Sequence, residues 1–371
     1  MTMTVGDDVT TSPRPRAATE PGSLLRAELG RLRHRRLVAA LALLGLAVLL
    51  TASVIVFFTH DRDLAGAQTQ AQSDFSRSVS EQQGYREQCL RDAPAADQER
   101  CGPAAVDPSM TVDSFYQDPR LRADQGLPAL AIGIGVVGAL LMGLIGATAV
   151  GADWSSRAII TLLTWQPRRL RFLATRLGAV AIVAVALGVA AQALGLALGS
   201  AIVATRGTWA STPPFPESGV SFGSGPGTAL IAADNFWRDL VFLQGRGVVL
   251  MVLLAVIAAS IATITRSTGG FLGAALGWFV VVELAGQGLL YNYAPALSPF
   301  TLTQSAAALL TPGGINVPGR SEMVNGVMTS SNMQVSNFDG FWHLGLLAVL
   351  VAGLAGVLLR RRDLSPRAGI A

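Results

Sequence analysis

Few side chains in this 371-residue sequence have the type and spacing needed for acid–base or nucleophilic chemistry. All 28 basic residues are arginine and none is lysine, so a P-loop ATPase or a Schiff-base enzyme would lack its essential amine. The three histidines, His34, His60 and His343, and the two cysteines show no metal-ligand spacing. We therefore expect a non-catalytic chain that has no metal site.

Three polar side chains lie within long apolar stretches: Gln192, Glu283 and Gln287. Glu283 alone is ionisable, and a carboxylate at membrane depth has to be neutral, paired or in contact with water. One interpretation places the three residues on a substrate path. The other gives Glu283 a snorkelling position or a bond to a neighbouring helix. A proton pump would need a chain of such groups, so proton-coupled transport is not favoured.

These residues have to be positioned by membrane helices, because the composition is 51% hydrophobic and 14% charged. Several apolar runs approach the roughly 20 residues that cross a bilayer. They lack the period-2 alternation of a β-barrel. The sequence therefore predicts an all-α polytopic integral membrane protein with six spans, at residues 37–58, 127–152, 177–204, 247–264, 269–290 and 341–359.

The distribution of arginine predicts the orientation of these spans. One side of the predicted topology carries 17 Arg and 6 acidic residues, and the other carries 11 Arg and 17 acidic residues. Since arginine-rich flanks stay in the cytoplasm, both termini are expected there. The first run is too long for a signal-peptide core, so it is expected to be a true span. Arginine without lysine is typical of high-GC bacteria, which favours the bacterial cytoplasmic membrane.

The segments outside the spans have different compositions. Residues 1–22 are expected to be a disordered cytoplasmic tail, and residues 360–371 a second cytoplasmic tail. Residues 23–36 place Leu25, Leu29 and Leu32 on one face of a helix with arginines elsewhere, which is typical of an interfacial amphipathic helix. Nucleic-acid binding is not required to explain those arginines.

The three segments on the predicted external side of the membrane also differ in their expected structure. Loop 59–126 should form a small, partly helical cap, and its Cys89 and Cys101 are expected to form a disulfide, the alternative being two free thiols. Segment 228–243 is either re-entrant or an interfacial helix with Trp237 among the headgroups. The proline-containing stretch 291–340 is expected to lie on the membrane surface.

Small residues recur every four positions in the second predicted span. Such a stripe allows another helix to approach closely, within one chain or across a dimer interface. The triplet Gly133, Gly135 and Gly138 matches a dinucleotide-binding pattern literally, but it lies in an apolar run with no strand before it, so that function is excluded. The stripe consists of Gly135, Ala139, Gly143, Ala147 and Gly151.

The segment between spans two and three carries the most informative pattern. It begins amphipathic, breaks at a proline and ends basic. With its acidic start, Leu-Leu pair, Pro and Arg-Arg, it resembles the corresponding loop of permease subunits of type-two ATP-binding-cassette transporters. The residues that match or surround this pattern are Asp153, Trp154, Arg157, Leu162, Leu163, Pro167, Arg168, Arg169 and Arg176. The opening helix, with Arg26, Glu28 and Arg31, is similar to that family's elbow helix.

The resemblance implies a function and a set of partners. Residues 153–169 would form a coupling helix that docks on a separate ATPase subunit, and that subunit would bind ATP and Mg. Two permease chains, identical or different, would pair. The substrate would be exported, and the apolar spans favour a lipophilic or amphipathic one. The alternative is a non-transporting six-span sensor or assembly factor that acts through its disulfide-containing loop. An intramembrane enzyme lacks the necessary residues.

Overall fold

Long helices make up most of the chain. A computed structural model describes residues 21–92, 94, 101, 110–156, 168–209, 235–324 and 327–361. Six of its helices are long and apolar enough to cross a membrane. In chain order the helices are α1 (Pro21–Arg33), α2 (Arg36–Thr59), α3 (Leu64–Asp92), α4 (Val112–Phe115), α5 (Ala123–Ser155), α6 (Arg169–Arg206), α7 (Phe236–Thr265), α8 (Thr268–Trp278), α9 (Gln287–Tyr293), α10 (Leu302–Leu310) and α11 (Asn337–Arg361).

Shorter elements complete the chain. A π-helix, Phe279–Gly286, joins α8 to α9, so the fifth span is one continuous helical segment. A 3-10 helix, Pro295–Phe300, precedes α10. The strands are β1 (Leu121–Arg122), β2 (Gly207–Thr208), β3 (Ile315–Val324) and β4 (Val327–Val335). β1 pairs with β2 in parallel, and β3 pairs with β4 as an antiparallel hairpin.

Helices α5 and α7 form the centre of the bundle, and the small-residue stripe of α5 is what brings them together. Gly135 lies against Gly247, because a Cβ added to Gly135 would be 3.3 Å from the Gly247 Cα. An added Cβ at Gly143 would lie 3.8 Å from the Ala258 Cβ. Ala139 and Ala147 are fully buried, and Gly151 contacts Thr268 at the start of α8. The stripe is therefore filled by packing within one chain.

The first and fifth spans lie at the periphery of this bundle. Only 11% of the apolar window of α2 is buried, as is 11% of the fifth span, against 56% for α7. Added Cβ atoms at Gly269, Gly273 and Gly277 of α8 would meet nothing within 4 Å. The outer faces of both spans are therefore available to lipid or to another chain.

The connecting segments are more ordered than the sequence indicates. The loop after α2 contains the 29-residue helix α3, and a disulfide joins Cys89 to Cys101, as predicted. Helix α7 begins at Phe236 and runs without a break into the fourth span, so Trp237 lies on that span rather than on a separate interfacial helix. Residues 228–234 lie outside the described part of the chain.

The stretch before the last span packs against that span, and its position at the membrane surface stays a prediction. Ser305, Ala308, Leu309 and Leu310 of α10 are buried, and α10 packs against α11. The contact is close because α11 carries Gly340, where an added Cβ would lie 2.5 Å from the Ser305 carbonyl oxygen. The β3–β4 hairpin that follows α10 was not expected in an all-α protein.

Candidate functional site

Helix α1 docks on one end of the bundle through its leucine face. Leu32 is buried, and Leu25 and Leu29 pack against the main hydrophobic core. Arg26 is exposed on the opposite side. The leucine face therefore positions this helix, which ends at Arg33 and is separated from α2 by two residues.

A charged cluster forms where α1 meets the ends of α5 and α6. The Asp153 carboxylate, at the end of α5, pairs with Arg31 of α1, Arg35 of the α1–α2 turn and Arg176 of α6. Glu28 of α1 lies 3.9 Å from the Arg31 Nε and 3.8 Å from the Arg176 Nε. We call these five residues the Asp153 cluster. It joins three helices that are distant in sequence.

Two members of the Asp153 cluster, Asp153 and Arg176, are buried, and the cluster carries more positive than negative groups. Asp153 is 5% exposed and Arg176 is 3% exposed, and two carboxylates face three guanidinium groups. Burial and the neighbouring Arg31 lower the pKa of Arg35, and Glu28 opposes that shift. Arg35 also donates to the carbonyl oxygens of Thr148 and Ala149, at 3.0 and 2.9 Å. It thereby binds the side of α5 about two turns before the carbonyl end of that helix, a region where a positive charge is favourable.

Trp154 extends this junction toward the turn between the fourth and fifth spans. Trp154 packs against two small apolar clusters, one that contains Phe271 and one that contains Leu173. The Arg266 guanidinium lies 5.2 Å from the centre of the ring. Arg266 has a φ of 57° and ends α7 in the left-handed conformation, which is uncommon outside glycine. The Trp154 indole N–H is buried and has no acceptor among the described residues.

The last span is tied to the same end of the bundle. Arg169, at the start of α6, donates to the carbonyl oxygens of Leu359 and Arg360 at the end of α11. Of the predicted coupling residues, Asp153, Trp154 and Arg169 are therefore placed at this end of the bundle, and Arg168 is exposed just before α6. Arg157, Leu162, Leu163 and Pro167 lie outside the described residues.

The three intramembrane polar residues separate into two places. The Glu283 carboxylate is buried and accepts from the backbone N–H groups of Leu302 and Thr303, at 2.8 and 3.2 Å, and from the Trp278 indole at 3.1 Å. Gln287 donates to the Thr303 hydroxyl at 2.7 Å. Both residues thus anchor the N-terminus of α10. For Glu283 this agrees with the interpretation in which its carboxylate bonds to a neighbouring helix.

Gln192 lies elsewhere, between α5, α6 and α7. Its side-chain amide donates to the Ala131 carbonyl oxygen at 3.1 Å and lies beside Gly247. In the described part of the chain, no hydrogen bond connects Gln192 with Glu283 or Gln287. A continuous polar path through these three residues therefore has no support from their positions.

An apolar cavity of about 670 Å³ lies between α2, α5 and α6. Its walls are almost entirely aliphatic, and the side of α2 that faces it runs from Leu41 to His60. Met251 of α7 closes its inner side. We call this space the α2 cavity. Its size falls within the roughly 300–1,000 Å³ that is usual for sites of small ligands.

Sequence reasoning missed both the Asp153 cluster and the α2 cavity. Asp153 was matched to a family position, and Arg31 and Arg35 were interpreted as an arginine-rich flank. Their separation by four residues places them on one side of a helical turn, which is a signal that they could share a partner. Nothing in the local sequence identifies that partner, because Asp153 is 118 residues from Arg35. No protein-family profile matches this chain, and no curated protein matches it.

Proposed function

We propose that this chain is the membrane permease subunit of a type-two ATP-binding-cassette transporter. It would export a lipophilic or amphipathic substrate by using ATP hydrolysis in a separate subunit that binds ATP and Mg. Two permease chains would pair, in a bacterial cytoplasmic membrane with both termini in the cytoplasm. The six apolar helices and the arginine distribution support the membrane part of this proposal.

The observation that carries the proposal is the position of the Asp153 cluster. The predicted coupling segment, residues 153–169, starts at Asp153 itself and ends seven positions before Arg176. A partner that moved this segment would act on the ends of α5 and α6, which Asp153 and Arg176 join directly. Through Arg31 and Arg35 the same movement would reach α1 and the start of α2. A junction of packed helices and ion pairs is a suitable means of transmitting such a displacement.

Co-purification tests the partner and the coupling together. A tagged chain is extracted in mild detergent after membrane cross-linking, its stoichiometric partners are identified, and ATPase activity is measured in proteoliposomes. We expect an ATPase subunit to co-purify with the wild-type chain. The double variant Trp154→Ala, Arg157→Ala should lose that subunit or its stimulated activity. The matched control is Trp237→Ala, Arg238→Ala, whose residues are exposed at the start of α7, and it should behave as wild type.

Two results would contradict the proposal: no ATPase in the cross-linked complex, or equal effects of the two double variants. One feature of the fold favours a second function in that event. Helix α3 is 29 residues long and has a single buried residue, Ala71, so most of its surface is free to meet a partner. Loss of a non-ATPase partner on Cys89→Ser substitution would then favour the sensor or assembly factor.

A further inference from the structure

We propose that the α2 cavity binds one acyl chain of a membrane phospholipid, and that Arg206 holds the phosphate of that lipid at the cavity mouth. This inference does not depend on transport. It rests on the shape of the cavity, the chemistry of its walls and the charge at one of its ends.

The walls of the cavity offer almost nothing to a polar ligand. Ser53 and His60 are the polar side chains among its lining residues. The Ser53 hydroxyl donates to the Leu49 carbonyl oxygen at 2.9 Å, and the His60 Nδ1 lies 2.9 Å from the Val56 carbonyl oxygen. Both groups are therefore already engaged with the backbone of α2. An aliphatic occupant fits such walls, because it loses no hydrogen bonds to water on entry.

The length of the cavity suits an extended chain. The part of α2 that lines it, from Leu41 to His60, rises about 28 Å at roughly 1.5 Å per residue. This is close to the roughly 30 Å thickness of the hydrocarbon layer. A compact ligand would leave much of that length empty, whereas an acyl chain aligned with the helices would follow it.

The cavity is open on the side that faces lipid. Its lining residues Leu46, Val137 and Leu194 are exposed on the surface of the bundle. Helix α2, which forms the outer wall, is one of the two least buried spans. A chain from the surrounding bilayer can therefore enter sideways, without passing through the protein core.

Arg206 lies one helical turn beyond Ile202, a residue of the cavity wall. Its guanidinium lies over the Phe57 ring, 4.5 Å from the ring centre. In the described part of the chain, no carboxylate lies within ion-pair distance of it. Arg62 is close by, since its Nη2 donates to the Ala204 carbonyl oxygen at 2.6 Å. Phosphate is the anion that phospholipids present at this depth, and a guanidinium binds it through charge-assisted hydrogen bonds.

The carboxylates near this mouth are engaged with other groups. Asp61 accepts from the backbone N–H groups of Arg62 and Asp63, and Asp63 accepts from that of Gly66. Asp118 and Asp124 pair with Arg120 and Arg122. The Arg206 guanidinium, with Arg62 close to it, is therefore available to a lipid phosphate.

Photo-cross-linking in nanodiscs tests the proposal. The probes are a phosphatidylglycerol and a diacylglycerol that carry the same diazirine-labelled acyl chain, and the cross-linked residues are mapped by mass spectrometry. We expect phosphatidylglycerol adducts to concentrate on the cavity walls, in excess over the exposed residues Leu276, Val281 and Leu284 of the fifth span. Diacylglycerol lacks the phosphate and should show a smaller excess. Arg206→Gln should reduce the phosphatidylglycerol excess about tenfold, the effect of losing one charge-assisted hydrogen bond.

A matched pair of glycine variants tests the cavity itself. Gly133 lines the cavity, and an added Cβ there would meet nothing within 4 Å, so Gly133→Phe fills the space without a backbone clash. Gly273 is equally open but lies on α8, away from the cavity. We expect Gly133→Phe to abolish the excess of adducts and Gly273→Phe to preserve it.

Three results would overturn the proposal. Adducts could be spread evenly over the cavity walls and the fifth span, Gly133→Phe could leave the excess intact, or the two probes could label the walls equally. If Gly133→Phe fails to fold, native mass spectrometry of the wild-type chain decides instead. One phospholipid retained per chain supports the site, and a spectrum free of bound phospholipid contradicts it.

Discussion

At the scale of single residues, Asp153 has the largest expected effect, because its buried carboxylate compensates three guanidinium groups. Asp153→Asn would leave Glu28 as the one carboxylate of the cluster facing these three cations. We expect a loss of about 3–5 kcal/mol in the free energy of unfolding, typical of a buried ion pair from which one partner is removed. Thermal unfolding in detergent, followed by tryptophan fluorescence, measures it. The exposed pair of Asp74 with Arg77 supplies the control, and Asp74→Asn should change little.

Glu283 is the second residue with a testable role, since its carboxylate receives the N-terminus of α10. Glu283→Leu would leave the backbone N–H groups of Leu302 and Thr303 buried without an acceptor, at a cost of about 1–3 kcal/mol. Glu283→Gln keeps one acceptor oxygen and should cost less. Hydrogen exchange of the α10 amides reports the difference. Unchanged protection in Glu283→Leu would show that α10 is held by other contacts.

Asp118 gives a prediction about pH. Hydrogen bonds from Arg120, at 2.9 Å to Oδ1 and 2.8 Å to Oδ2, hold the pKa of Asp118 below its usual value near 3.8. The stabilisation is therefore complete above pH 4 and is lost as the pH falls through the lowered pKa. We expect less than about 1 kcal/mol, because the pair is partly exposed. Since other carboxylates titrate in this range, the informative quantity is the difference in stability between wild type and Asp118→Asn. That difference should shrink below pH 4, and a difference independent of pH would be contrary to expectation.

At the scale of helices, the contact between α5 and α7 depends on positions that tolerate no side chain. An added Cβ at Gly146 would lie 2.3 Å from the Ala255 carbonyl oxygen, so the two backbones would have to separate. We expect Gly146→Ala to lower the free energy of unfolding by about 1–3 kcal/mol, as overpacking does. Gly133→Ala, on the same helix but facing open space, should be neutral or slightly stabilising. Equal melting temperatures for the two variants would mean that α5 and α7 pack differently.

The helices were largely predictable from the sequence, whereas several contacts between them were not. Each predicted span lies within an observed helix or coincides with one to within a residue, because about twenty apolar residues signal a crossing by themselves. The Cys89–Cys101 disulfide followed from the even count and the short separation. The β3–β4 hairpin could not be predicted, because its strands carry mixed polar and apolar residues without a strict alternation. The Asp153 cluster and the α2 cavity depend on tertiary contacts, which no local pattern encodes.

At the scale of the whole molecule, the disulfide region and the bundle are expected to unfold separately. Helix α3 has one buried residue, Ala71, and it packs against α4, for example through the ring contact of Phe75 with Phe115. Cys89→Ser removes a cross-link worth about 2–4 kcal/mol. We expect faster proteolysis within 64–115 with little change in the melting temperature of the bundle. A parallel fall of both quantities would indicate that α3 supports the membrane helices.

The Asp153 cluster also has a consequence for biosynthesis. Arg31 and Arg35 leave the ribosome before Arg176, which follows about 140 residues later and belongs to the third span. At roughly 5–20 residues per second, α1 waits many seconds for its binding partners. During that interval the leucine face of α1 has no protein surface to cover it, and the membrane surface is the nearest substitute. Docking of α1 therefore marks the moment at which the first three spans have assembled.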